Sequence, residues 1–251
     1  MKNTRRHRVR RTATAALLSL GVALGLATPS AQAVEGGTTI ESRWGSGMAQ
    51  VWESTSGGPA YRCSGSVVGP IKVLTASHCF PQGADFSDYY VLVGHTEKGK
   101  GHRIRIGNVN RHQDLAVASL TADVRRYPEV QHVELQTRLE PVPGEYGLAL
   151  GWGRTCLSCP GSVKLKQAKV RIIDYTRDLA GGPAYRVFSS PKNGALRNGD
   201  SGGPMYWNGK QIGVVSDDGG QNDPVHAGIS LFDDAAERYL TDMHVPINRP
   251  W

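Results

Sequence analysis

Gly199-Asp200-Ser201-Gly202-Gly203-Pro204 holds one serine inside a frame of glycines, directly after a carboxylate. A serine hydroxyl is a poor nucleophile at neutral pH and needs a base to take its proton. Glycines beside it let backbone N–H groups approach a developing oxyanion with no side chain in the way. The hexapeptide therefore offers nucleophile and donors in one turn. A purely structural serine in a tight turn is the plain alternative, and the completeness of the motif argues against it.

A base and a partner for it stand upstream. Leu74-Thr75-Ala76-Ser77-His78-Cys79 supplies a histidine, whose ordinary pKa of ~6.5 suits proton transfer at neutral pH. Asp114-Leu115-Ala116-Val117 supplies a carboxylate that could fix the histidine tautomer and stabilise its imidazolium. Asp85, Asp88 and Asp123 compete for that place, but Asp114 precedes an apolar run, which favours burial beside the histidine. His95, His102, His112 and Arg111 read as surface or loop residues, and Trp152 as core packing.

Around these motifs the chain is cut into short apolar runs by 31 glycines and 14 prolines. Runs such as Ile71 to Ala76, Tyr89 to Val93, Leu115 to Leu120 and Val163 to Ile173 read as strands. In Arg103-Ile104-Arg105-Ile106 the period is two, as a half-buried strand requires. Gly57-Gly58-Pro59 and Gly181-Gly182-Pro183 read as loops. Only the tail predicts a helix, with Asp233 and Asp234 at its start and Ala236, Tyr239, Leu240 and Met243 on one face until Pro246. Many strands and one terminal helix indicate closed or sandwiched antiparallel sheet.

Residues 1–33 read as an export signal. A basic stretch to Arg11 precedes an apolar run from Ala13 to Ala27 and a small-x-small end at Ala31 and Ala33. The run is shorter than the ~20 residues a spanning helix needs. Arg5-Arg6 and Arg10-Arg11 leave the export route open. The leader carries six of the seven net positive charges, which leaves the remainder at +1. A nucleic-acid partner is not indicated, and the mature chain is expected to be secreted, off the membrane and monomeric. Export permits disulfides. Four cysteines allow three pairings, and the residues do not choose among them. Cys156-x-x-Cys159 offers two thiolates, not the four ligands of a structural zinc site, and favours a local disulfide.

Taken together, these segments resemble the chymotrypsin/trypsin family of serine proteases, in the form bacteria secrete. The matches run from Val34-Glu35-Gly36-Gly37 through Cys63-Ser64-Gly65, His78, Asp114, Gly151-Trp152-Gly153, the serine hexapeptide and Val214-Val215-Ser216 to the terminal helix. The resemblance implies an all-β fold of two six-stranded antiparallel β-barrels with a C-terminal α-helix. It divides the chain into a signal peptide (1–33), an N-terminal barrel (34–135) and a C-terminal barrel with the helix (136–251). It assigns Ser201 as nucleophile, His78 as general base then acid, Asp114 as its orienting partner, and the N–H groups of Gly199 and Ser201 as the oxyanion hole. It pairs Cys63 with Cys79 beside the histidine. Ser216 would support the buried aspartate, and its strand would pair with an extended protein or peptide substrate. No metal or organic cofactor is implied.

The resemblance also makes Val34 the new amino terminus after leader cleavage, its ammonium pairing with the buried Asp200; Glu35 is unusual beside it. Specificity departs from the trypsin pattern. Ala195 stands where trypsin-type members carry an aspartate, Arg197 replaces a family cysteine, and Asp217 and Asp218 follow Ser216 at the pocket entrance. An apolar pocket floor disfavours a buried Lys or Arg of the substrate. Two other functions compete. A catalytically silent protease-like binding module would have lost a residue of the Ser-His-Asp set, and none is lost here. A lipase or esterase requires Gly-x-Ser-x-Gly and another chain order.

Overall fold

The computed structural model describes residues 36–40, 45–138, 141–190, 192–218 and 226–248. The leader, Val34 and Glu35 lie outside the described residues. No helix among those described is long and apolar enough to cross a membrane.

Alternation builds the strands. Ile104 and Ile106 are buried while Arg103 and Arg105 are exposed, and Ala168, Val170 and Ile172 point inward between the exposed Lys169 and Arg171. After the short β1 (Thr38–Thr39), six strands form the first barrel. They are β2 (Met48–Thr55), β3 (Gly58–Gly69), β4 (Lys72–Ala76), β5 (Tyr89–Val93), β6 (His102–His112) and β7 (Leu115–Leu120). Each pairs antiparallel with its neighbours in the closed order β2-β3-β4-β7-β6-β5. Val51, Val67, Val73, Val91, Ile104, Ala116 and Ala118 fill its interior.

The short β8 (Leu135–Gln136) leads to the second barrel. Its strands are β9 (Tyr146–Gly151), β10 (Lys166–Arg177), β11 (Pro183–Phe188), β12 (Pro204–Trp207), β13 (Lys210–Asp217) and β14 (His226–Leu231). They run β12-β9-β10-β11-β14-β13, and pairing of β12 with β13 closes the ring. Ala149, Val170, Ile172, Val187, Met205 and Ile229 pack inside it. Closure removes free sheet edges, so the expectation of two six-stranded barrels holds.

Helix α1 (Asp234–Asp242) is started by Asp233, whose side chain accepts from Ala236 N at 2.8 Å. It ends four residues before Pro246, followed by β15 (Ile247–Asn248). Ala236 and Leu240 are buried in a third cluster with Leu74, Leu115 and Val117 of the first barrel and Val214 of the second; Tyr239 and Met243 pack against it. Tyr239 Oη donates to Asn110 O (2.6 Å) and accepts from Val117 N (2.9 Å), tying the helix to β6 and β7. The run beginning at Val163 becomes strand only from Lys166, because residues 163–165 make cross-barrel contacts first; Val163 O accepts from Lys98 N.

Candidate active site

His78 sits in a single 3-10 turn, Ser77–Cys79, at the end of β4. Asp114 sits in the two-residue turn between β6 and β7, where His112 pairs with Leu115 and Gln113 adopts φ 51°. Pairing of Ala76 with Leu115 sets the ends of β4 and β7 side by side, and Ser77 N donates to Asp114 O at 2.9 Å. Two residues 36 positions apart therefore meet. Asp114 is 1% exposed. Its carboxylate accepts from His78 N at 3.0 Å and lies 3.0 Å from Nδ1 through each oxygen. A third donor crosses from the other barrel: Ser216 Oγ of β13 reaches Oδ2 at 2.5 Å. With the carboxylate on Nδ1, the ring is held as the tautomer whose Nε2 accepts. The histidine side chain is 34% exposed.

The serine turn comes from the second barrel. Asp200 N donates to Arg197 O and Gly203 N to Asp200 O, closing the turn on both sides of Ser201. Gly202 N donates to Val215 O and Val215 N to Gly203 O, which fixes the turn on β13. Gly199 and Gly202 have φ of 96° and 77°, a region that side chains disfavour. A Cβ on Gly202 would lie 2.0 Å from Thr75 Oγ1 and 2.8 Å from Ala76 N, so the turn abuts the strand that delivers His78. Ser201 O accepts from Ser64 N at 2.9 Å, beside the Cys63–Cys79 disulfide. Among the described residues, no hydrogen bond joins Ser201 Oγ to His78, and the N–H groups of Gly199 and Ser201 donate to no protein acceptor. Catalytic hydrogen bonds are often loose before substrate binds.

The other expected residues fall as follows. Ala195 is fully buried, Ser216 is 1% exposed, and Asp218 is partly buried at the end of β13; residues 219–225, which follow it, lie outside the described residues. Arg197 is buried at 4% exposure and donates from Nη1 to Leu196 O at 3.0 Å. Cys156 pairs with Cys159. Ligand atoms of Cys63, His78 and Cys79 lie within 4.8 Å of one another, but both sulfurs are bonded to each other and offer no thiolate to a metal. A cavity of about 630 Å³ lies elsewhere, lined by Tyr146, Leu148, Tyr206, Trp207 and His132 among others.

Three supporting side chains have roles that the sequence reading did not assign. Tyr61 Oη donates to Gly199 O at 2.8 Å, and Ser64 Oγ lies 3.0 Å from the same oxygen while accepting from Trp152 N at 3.2 Å. They hold the carbonyl of the Gly199–Asp200 peptide from below. Lys98 Nζ lies under Tyr61, 4.3 Å from its ring centroid. Asp200 is fully buried; Oδ1 accepts from Gly153 N at 2.8 Å and Oδ2 from Arg197 N at 2.9 Å. Burial pushes its carboxyl up to about 7, opposed by those two N–H donors and the Lys98 charge and reinforced by Asp218. Trp152 is fully buried, as expected of a packing residue, and its Nε1 donates to Thr96 O at 2.8 Å.

Two closed barrels, with a histidine and carboxylate on one and a glycine-framed serine on the other, define the class of trypsin-like serine protease domains. The chain belongs to the trypsin family, whose profile, described as Trypsin, matches residues 36–233. It is 30% identical over 172 residues to Serine protease SP24D of Anopheles gambiae, covering 63% of this chain and 63% of that protein. It is 28% identical over 195 residues to the Putative peptidase Cgl1093 of Corynebacterium glutamicum, covering 73% and 65%. It is 29% identical over 199 residues to Chymase of Papio hamadryas, covering 72% and 79%. The chain thus spans just under two thirds of the length of the first two. These relatives come from an insect, a bacterium and a primate, so the match fixes the family and not a bacterial branch of it.

Proposed function

We propose that the chain is a secreted serine endopeptidase that cleaves peptide bonds through a Ser201 acyl-enzyme. The observation that carries this reading is the His78 ring clamped by the buried Asp114 carboxylate, which leaves Nε2 as acceptor at the serine turn. Nε2 takes the Ser201 Oγ proton as Oγ attacks the scissile carbonyl carbon, and the oxygen of the tetrahedral intermediate receives the N–H groups of Gly199 and Ser201. The imidazolium, stabilised by Asp114, returns its proton to the leaving amine as the C–N bond breaks. Water then attacks the acyl carbon, gives its proton to Nε2, and Ser201 leaves with it. The substrate backbone lies along β13 beside Ser216.

Ala195 at the pocket floor favours uncharged, small or apolar residues before the scissile bond, since an unpaired buried Lys or Arg is costly. The enzyme acts as an exported monomer on protein or peptide substrates. Incubation of purified protein with a fluorophosphonate and with a mixed peptide library tests the reading. Expected results are labelling at Ser201, abolished in Ser201→Ala, and cleavage after uncharged residues. Intact wild-type protein that neither labels nor cleaves overturns it in favour of a binding module, and a profile dominated by Arg and Lys overturns the specificity.

A further inference from the structure

Asp200 lies next to the nucleophile, fully buried, and two backbone N–H groups alone leave its negative charge poorly balanced. Its environment contains a cation delivered by a different part of the fold. Lys98 N donates to Val163 O and Leu165 N to Thr96 O, so residues 96–98 of the first barrel are laced to residues 163–165 of the second. This lacing points Lys98 inward. Its Nζ donates to Trp152 O at 2.6 Å and lies under the Tyr61 ring. The N–H of that same Trp152–Gly153 peptide group donates to Asp200 Oδ1. One amide is therefore held with its oxygen on an ammonium and its N–H on a carboxylate, and each contact polarises it in favour of the other. Tyr61 also donates to Gly199 O, so the aromatic cover over the lysine is itself part of the support of the serine turn.

We propose that Lys98 is a positioning residue that partly balances the Asp200 carboxylate through the Trp152–Gly153 peptide, and thereby holds the Gly199–Ser201 turn in its donor geometry whether or not the chain begins at Val34. This rests on the peptidase reading above and makes the fold supply its own internal cation. Asp200 and Tyr61 face the lysine, and Asp218 acts on Asp200. Burial pushes Lys98 down to about 8, with Asp200 pulling it back up. The ammonium is therefore lost, and with it the support of Asp200, as pH rises past that value.

The test compares the parent with Lys98→Met and Lys98→Arg, measuring kcat and KM across pH and amide hydrogen exchange at Gly153, Gly202 and Gly203. Lys98→Met is expected to lower kcat about 100-fold with KM within about threefold, because oxyanion donors act in the transition state. It should also speed exchange at the three glycines about tenfold. Lys98→Arg is expected to restore most of both losses and to move the alkaline limb upward, since a guanidinium keeps its proton. A Gly-Ser extension ahead of Val34 should retain at least about tenfold more kcat than Lys98→Met. The proposal is overturned if Lys98→Met matches the parent in kcat and exchange, or if Lys98→Arg behaves like Lys98→Met. It is also overturned if the extension is the more damaging change. A parent that neither labels nor cleaves removes the peptidase reading, and the exchange comparison then decides the role of Lys98 by itself.

Discussion

At the scale of single residues, the Asp114 carboxylate collects three donors from two barrels, and the one from the second barrel can be removed alone. Ser216→Ala deletes the donor from β13 without touching His78. A hydrogen bond to a charged group is worth about 1.5–3 kcal/mol, so unfolding stability in urea should fall by about 2 kcal/mol and kcat by about tenfold or more. Unchanged values in both assays would mean that the carboxylate is held by the first barrel alone. Asp200 gives a prediction of opposite sign to the usual one for carboxylates. Its folded pKa of about 7 lies above the unfolded value, so the folded state binds more protons between about pH 4 and 7. Its contribution is then most favourable in acid and is lost as pH rises through about 7. Tm measured against pH should show Asp200→Asn gaining on the parent as pH climbs from 4 to 7; a gap that is constant or widens in the parent's favour contradicts the assigned shift.

Among the elements, α1 shows where sequence reading succeeds and where it stops. Asp233 as the start and Ala236 and Leu240 as the buried face follow from capping preference and a 3.6-residue period, which are local rules. The strap made by Tyr239 to Asn110 and Val117 is not local: it depends on where the tail lands on the first barrel. The same division holds for the site. His78, Asp114 and Ser201 could be proposed because each lies in a motif with its own chemistry, whereas Tyr61, Ser64 and Lys98 meet the serine turn only through contacts between the two barrels. The two classes of contact predict different costs. Asp233→Ala should lose about 1 kcal/mol, the usual worth of a cap. Tyr239→Phe strips partners from two backbone groups and should lose more, about 1–3 kcal/mol, if each is left unsatisfied. Urea unfolding of both variants checks the order, and a reversed order means that solvent replaces the tyrosine hydroxyl.

Considered as a whole molecule, the chain keeps an apolar interior in each barrel and joins the two through a third cluster, α1 and the residue 96–98 segment. The alternating runs announced barrels or sandwiches but not how strands close, because closure is fixed by long-range pairings such as β2 with β5 and β9 with β12 that no local pattern encodes. The two disulfides report on this architecture differently. Cys63–Cys79 spans 16 residues, with its cysteines 3% and 4% exposed inside the first barrel, so a reductant reaches it only when that barrel opens. Cys156–Cys159 spans three residues and encloses the exposed Leu157 and Ser158. Closing the longer loop also removes more freedom from the unfolded chain, by about 3 kcal/mol against about 2 for the shorter one. Under native conditions, brief treatment with reductant followed by alkylation and mass mapping should therefore modify Cys156 and Cys159 first, with peptidase activity largely kept. Modification of Cys63 and Cys79 should coincide with loss of activity, because that bond closes the segment that carries His78. If the two pairs are alkylated at equal rates in folded protein, the first barrel opens far more readily than its buried core implies.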